Sequence, residues 1–253
     1  MWEISYFGIL HGTFHLLKFS LLYRSYYFLL NKLFIKSESY NNLQEHKRMY
    51  ILKNIIKSVN MFMIFLFTTK QLFTFFYLDQ YDNLIIQYYG AAYVANDFLA
   101  LLIVDKLPNT TIIHHRLSVL LYYILISFDI NSNFVLKLLV AYTFFSYCAF
   151  MVNLYLGIRY FIQENTDDPN INNQNDSLMI RNANAVINNV RIGAYYNYLI
   201  CCFFNWSIHS YLLVRRAYSN LFGFSELCYC LLLIPIIRDD LILMSWLRKK
   251  YNS

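Results

Sequence analysis

Seven apolar runs, each close to the length a helix needs to cross a bilayer, constrain what this chain can fold into. They lie near residues 4–23 (continuing toward 35), 55–78, 84–104, 111–128, 134–160, 192–214 and 222–247. A crossing helix takes about 20 apolar residues. Backbone N–H and C=O groups in lipid must be paired within their own segment, so such runs are read as helices. Charge content points the same way. Only 14% of the 253 residues are charged and 58% are hydrophobic, whereas a soluble domain carries about 25% charged residues. The expected fold class is therefore all-α: a polytopic transmembrane helix bundle of six to seven spans, the first run being the uncertain one. Met1-Trp2-Glu3 opens the chain without a basic n-region, so the first run is expected to be a retained helix.

Basic residues set the expected orientation. Arg24, Lys32, Lys36, Lys47, Arg48, Lys53 and Lys57 lie between the first two runs. Arg159, Arg181 and Arg191 follow the fifth, and Arg248, Lys249 and Lys250 follow the last. The connection between the second and third runs carries Asp79 and Asp82 and no Lys or Arg. The positive-inside rule puts the N-terminus outside or lumenal and the C-terminus in the cytosol, with Arg215 and Arg216 as exceptions. The net charge of +6 sits on these flanks, so no nucleic-acid partner is expected. Membrane lipid is the expected partner, and a homo-oligomer is left open. The five cysteines lie in apolar runs without zinc or redox spacing, so no disulfide is expected. Residues 163–189 are polar and Asn-rich and are expected to form a disordered cytosolic loop.

Ionisable groups inside apolar runs carry the functional signal. A centrally placed Asp costs roughly 2.5–3.5 kcal/mol to insert. Asp97 sits in the third run, with Tyr93 one turn earlier and Asn96 beside it. His114 and His115 open the fourth, with Ser118 over the gap between them. A neutral imidazole can accept a proton from an amine or hydroxyl, and a pair offers a base and an orienting partner. Asp97 either orients a histidine across the bundle or pairs with a Lys or Arg for structure. The histidines either do chemistry or make interhelical hydrogen bonds. His11, His15 and Lys18 share one face of the first run, but no acidic third ligand lies nearby, so no metal site is expected. His209 reads as a hydrogen-bonded bundle residue. Arg238-Asp239-Asp240 follows Pro235 in the last run, with Trp246 and the basic tail as an interface anchor.

In these residues the chain resembles the TLC-domain family of polytopic membrane proteins, which includes ceramide synthases. The resemblance covers about residue 47 to 250. It rests on Glu45-His46-Lys47-Arg48 before the second run, Tyr93-x3-Asp97, His114-His115-x2-Ser118, Asn153, and Asp240 six residues before Trp246. It implies a first helix and basic cytosolic loop over 1–46. Residues 47–250 would then form a TLC-like barrel around a lipid-sized cavity open to the cytosol. In the ceramide synthase branch, His114 or His115 would deprotonate a sphingoid amine, Asp97 would support the histidine, and acyl-CoA would be the cosubstrate. Lys106 and Arg116 would meet its phosphates. Tyr93, Asn96, Ser118, Asn153 and Asp240 would line or support the cavity. The family also suggests an endoplasmic-reticulum-like endomembrane.

The chain departs from the ceramide synthase pattern. After the histidines it continues Val119-Leu-Leu-Tyr-Tyr-Ile-Leu-Ile-Ser-Phe-Asp129, without the Ser-Tyr, Asn and Arg-Gly pattern or paired aspartates. Ser146 stands near where many relatives carry a glutamate, and the arginine that should closely follow Asn153 comes only at Arg159. The chain is therefore more similar to the non-ceramide-synthase branch. The leading expectation is a protein that binds or handles lipid without a resident cofactor, in lipid homeostasis or trafficking. A sphingoid-base N-acyltransferase-like enzyme comes second. A haem or metal redox protein using His11, His15, His209 and the histidine pair comes third.

Overall fold

The computed structural model describes residues 4–78, 82–131, 133–160 and 174–249. Among them the chain is all-helical. The elements are α1 (Tyr6–Phe34), the one-turn α2 (Glu38–Asn41), α3 (Glu45–Leu78), α4 (Asn83–Ile103), α5 (Asn109–Ser127), α6 (Phe134–Cys148), α7 (Phe150–Ile158), α8 (Gln174–Tyr218) and α9 (Phe224–Arg248).

Helix starts follow local chemistry. The Asp82 carboxylate accepts from the backbone N–H of Leu84 and Ile85, and the Asn133 side chain accepts from Val135. Both satisfy donors that a first turn leaves unpaired. At the C-terminal end of α9 the buried Arg191 donates to the carbonyls of Leu247 (2.6 Å) and Lys249 (2.7 Å), tying the N-terminal half of the long α8 to that end.

The expectation of disorder over 163–189 is corrected in part. Residues 163–173 lie outside the described residues, but from Gln174 onward the segment is helical and continues into α8. The end of the segment joins an apolar stripe that runs on into the helix beyond it. Ile187, Val190 and Ala194 recur at helical spacing and pack with Val152, Tyr155 and Leu247.

The packed pairs close a ring. α3 meets α4, α4 meets α5, α5 meets α9, α9 meets α8, α8 meets α7, and α7 returns to α3. α1 braces this ring by packing on α4 and α5. Gly8 and Gly12 make that approach close. A Cβ on Gly12 would stand 2.7 Å from Ile126 Cγ2, and the Tyr122 hydroxyl reaches the carbonyls of both Gly12 (3.0 Å) and Gln87 (3.2 Å). α6 and α7 meet at Ala149 with a 42° bend. Ser58 of α3 donates to the Phe150 carbonyl at 3.0 Å, one tie across that break.

By length and mean hydropathy, one described helix is fit to cross a membrane unaided, over Glu45–Gln71. The bent α6–α7 pair makes a second if it is one span. The other long helices reach comparable length, but tyrosines and amides lower their mean hydropathy: the 21-residue α4 holds Asn83, Gln87, Tyr88, Tyr89, Tyr93, Asn96 and Asp97. Much of the outer surface is nonetheless apolar. Along α1, Phe7, Leu10, Phe14, Leu17, Leu21 and Phe28 all face outward.

The close approach of α1 can be tested. Gly12→Leu is expected to destabilise the bundle by about 1–3 kcal/mol through overpacking, read as a lower thermal unfolding midpoint in detergent. Phe14→Leu on the outward face of the same helix should leave the midpoint near wild type.

Candidate functional site

Four helices of the ring bring their ionisable residues to one place. α3 supplies Lys53 and Lys57, one turn apart on the same face. α4 supplies Asp97, α5 supplies His114 and His115, and α9 supplies Asp239 and Asp240. Asp97 has no solvent exposure. Its Oδ1 lies 2.5 Å from Lys57 Nζ and 3.2 Å from His115 Nδ1. The other nitrogen of His115, Nε2, lies 2.8 Å from Lys53 Nζ. His115 is therefore held between a carboxylate and an amine. His114 Nδ1 lies 3.3 Å from Asp239 Oδ2. Asp240 accepts from the hydroxyls of Tyr142 (2.9 Å) and Tyr198 (2.5 Å), which tie α9 to α6 and α8.

The sequence left two partners open for Asp97, a histidine or a basic residue. The structure brings both: Lys57 by direct hydrogen bond and His115 from the facing helix. A buried carboxylate without a cation is costly, and an excellent geometry is what lets the pair offset its desolvation. Asn96, also fully buried, braces the backbone beside it. Its Nδ2 donates to the Lys53 carbonyl at 3.3 Å and its Oδ1 accepts from Tyr27 of α1 at 3.2 Å.

A cavity of about 380 Å³ opens beside this cluster, with every helix of the ring in its wall. Lys53, Lys57, His114, His115, Asp239 and Asp240 are among its polar lining. That volume is within the range of small-molecule sites. Tyr93 and Asn153 also line it, the latter with Nδ2 directed at Met61 Sδ. Ser118 donates to the His114 carbonyl at 3.0 Å and faces a smaller space of about 40 Å³. This space shares Tyr93, His114, Tyr142 and Ser146 with the polar cavity, and Gly90, Leu125 and Thr143 with a mostly apolar cavity of about 380 Å³. The small space thus lies between the other two and shares wall residues with each.

Lys106 and Arg116 are exposed and do not line the polar cavity. Its cations are Lys53, Lys57 and Arg159. The Arg159 guanidinium sits over the rings of Tyr160 (4.5 Å) and Trp246 (4.8 Å). Reading the sequence missed Lys53, Lys57 and Arg159 as site residues because all three also fit a positive-inside flank. The signal was the i, i+4 spacing of two lysines at the edge of an apolar run. It missed Tyr142 and Tyr198 because tyrosine is abundant throughout the chain.

The remaining histidines go elsewhere. His11 and His15 approach each other on α1 (Nε2 to Nε2, 3.2 Å), and His15 stacks edge-on against Tyr88. His209 is buried against the carbonyls of Asn205 and Leu138 and the Tyr229 hydroxyl, as a bundle residue would be. These three do not converge with His114 and His115.

The buried pair has a measurable signature. Lys57→Met leaves Asp97 without its closest cation and should destabilise the protein by about 3–5 kcal/mol. Adding Asp97→Leu removes the orphaned charge and should recover most of that loss, by chemical denaturation in detergent. Comparison with protein-family models, curated proteins and solved structures finds no match to this chain.

Proposed function

We propose that the chain is a multi-pass membrane protein that holds a lipid inside a TLC-like helix barrel and acts in membrane lipid homeostasis or trafficking. The observation that carries this reading is a polar and a mostly apolar cavity, separated by a small space that shares wall residues with both, among the packed helices. Such a space is complementary to an amphipathic molecule. The headgroup would meet Lys53, His114, His115 and Tyr198, and the chain would pass Tyr142 and Ser146 toward Leu125 and Phe144.

Placement in a membrane is supported by the apolar outer face of α1 and by the distribution of charge. The start of α3, the end of α7, the N-terminal half of α8 and the end of α9 to which Arg191 ties it carry Lys47, Arg48, Arg159, Arg191 and Arg248. The polar cavity reaches this basic end through Tyr50, Thr110 and Trp246. By the positive-inside rule this end is cytosolic, with the N-terminus on the lumenal side of an endomembrane. Six to seven spans follow if every long helix crosses.

Acyl transfer from acyl-CoA is a second reading, favoured by one observation: Asp97 and His115 stand 3.2 Å apart beside a cavity with cations in its wall. A carboxylate-supported imidazole is the arrangement a general base needs, and a lipid amine would reach His115 Nε2 by taking the place of Lys53 Nζ. Arg159, in place of Lys106 and Arg116, is the better placed residue for the phosphates.

Mass spectrometry of lipid carried through purification, paired with an acyl-CoA turnover assay, separates the readings. Lipid handling predicts a defined lipid species in wild type, largely lost in Ser146→Trp, whose side chain would fill the junction between cavities. Turnover that vanishes in His114→Ala/His115→Ala would establish the acyltransferase instead. A wild-type protein with neither lipid nor turnover would contradict both.

A further inference from the structure

His115 Nδ1 and Asp97 Oδ1 stand at ion-pair distance without the alignment of a hydrogen bond. Their 3.2 Å separation would suit a hydrogen bond, yet His115 Nδ1 has no hydrogen-bond partner, and neither has Asp97 Oδ2. The same is true of His114 Nδ1, 3.3 Å from Asp239 Oδ2. One buried atom of each of Asp97, His114 and His115 thus makes no hydrogen bond, although the two histidine nitrogens stand in ion-pair range of Asp97 and Asp239. Asp97 and His115 are nearly inaccessible, and His114 and His115 line the polar cavity. Buried polar atoms in folded proteins are almost always paired, so a cluster of exceptions calls for a missing partner.

We propose that Asp97, His114 and His115 bind a divalent first-row transition metal, with Asp239 as the fourth protein ligand. One donor atom from each of Asp97, His114 and His115 lies within 4.8 Å of the other two. Around a metal with bonds of about 2.1 Å, neighbouring tetrahedral donors stand about 3.4 Å apart. The separations of His115 Nδ1 from Asp97 Oδ1 (3.2 Å) and of His114 Nδ1 from Asp239 Oδ2 (3.3 Å) are near that edge, and Asp97 Oδ2 is the oxygen left free of Lys57. The wider spacing within the triad requires the imidazoles to move inward, and the adjoining cavity leaves them room.

One supporting contact is in place and one must rearrange. A metal-bound imidazole donates through its other nitrogen, so with a metal on Nδ1 the His115 Nε2–H would turn Lys53 Nζ, now 2.8 Å away, toward the cavity. Lys57 holds the carboxylate of Asp97 in place. Imidazole and carboxylate donors suit zinc, and two histidines with one carboxylate also suit iron(II). A site that uses only the triad would keep a position open toward the cavity for water or a lipid carbonyl.

This inference does not rest on lipid binding, because metal content is measured without reference to the lipid. The full chain, purified in detergent without chelator, is analysed for metals. It is then stripped and titrated with Co²⁺ while the visible ligand-field bands are recorded. About one divalent ion per chain and saturable cobalt bands are expected, with His115→Gln and Asp97→Asn losing both while circular dichroism stays helical. Wild-type protein that is folded yet carries no metal and gives no saturable cobalt spectrum would overturn the proposal. That result needs no variant to fold.

Discussion

Asp97 is buried where α3, α4 and α5 meet, and its carboxylate must be compensated from both sides. Lys57 does so from α3 and His115 approaches from α5. This constraint organises much of the ring. It sets the rotation of α3, because Lys53 and Lys57 must both face inward, and it sets the position of α5, because His115 must reach across. Lys53 then extends the chain of contacts from His115, while His114 carries it to Asp239 on α9. Asp240 passes it on to Tyr142 and Tyr198 on α6 and α8. A polar network of this kind specifies register among helices whose outer faces are largely apolar.

The same network explains why the cavities differ in character. Where the charged groups converge, the ring cannot close over them without leaving polar atoms unpaired, and a polar space remains. Beyond Tyr93 and Tyr142 the lining turns to Gly90, Leu125 and Phe144, and the space becomes apolar. Tyrosine serves at the boundary because its ring packs with apolar neighbours while its hydroxyl finds an acceptor.

Much of the helical architecture was legible from the apolar runs alone, since each run became a helix or, at Ala149, a bent pair. The cluster was legible in part. Asp97 and the two histidines were visible as costly residues in apolar surroundings. Lys53, Lys57 and Arg159 were not, because a basic residue near a helix end satisfies the positive-inside pattern whether it faces water or a cavity. Lys106 and Arg116 illustrate the converse: they have the right charge at the right end, and their side chains face outward. The helical end of the 163–189 segment was hidden because composition averages over residues, while Ile187, Val190 and Ala194 act as one stripe.

The central claim is that a lipid enters the ring and does not merely coat it. A photoactivatable, clickable long-chain lipid added to membranes that contain the protein, followed by mapping of crosslinked peptides, addresses this directly. The account predicts adducts on inward residues around Tyr142, Ser146 and Tyr198. Adducts confined to the outward face, such as Phe7, Phe14 and Phe28 of α1, would contradict it.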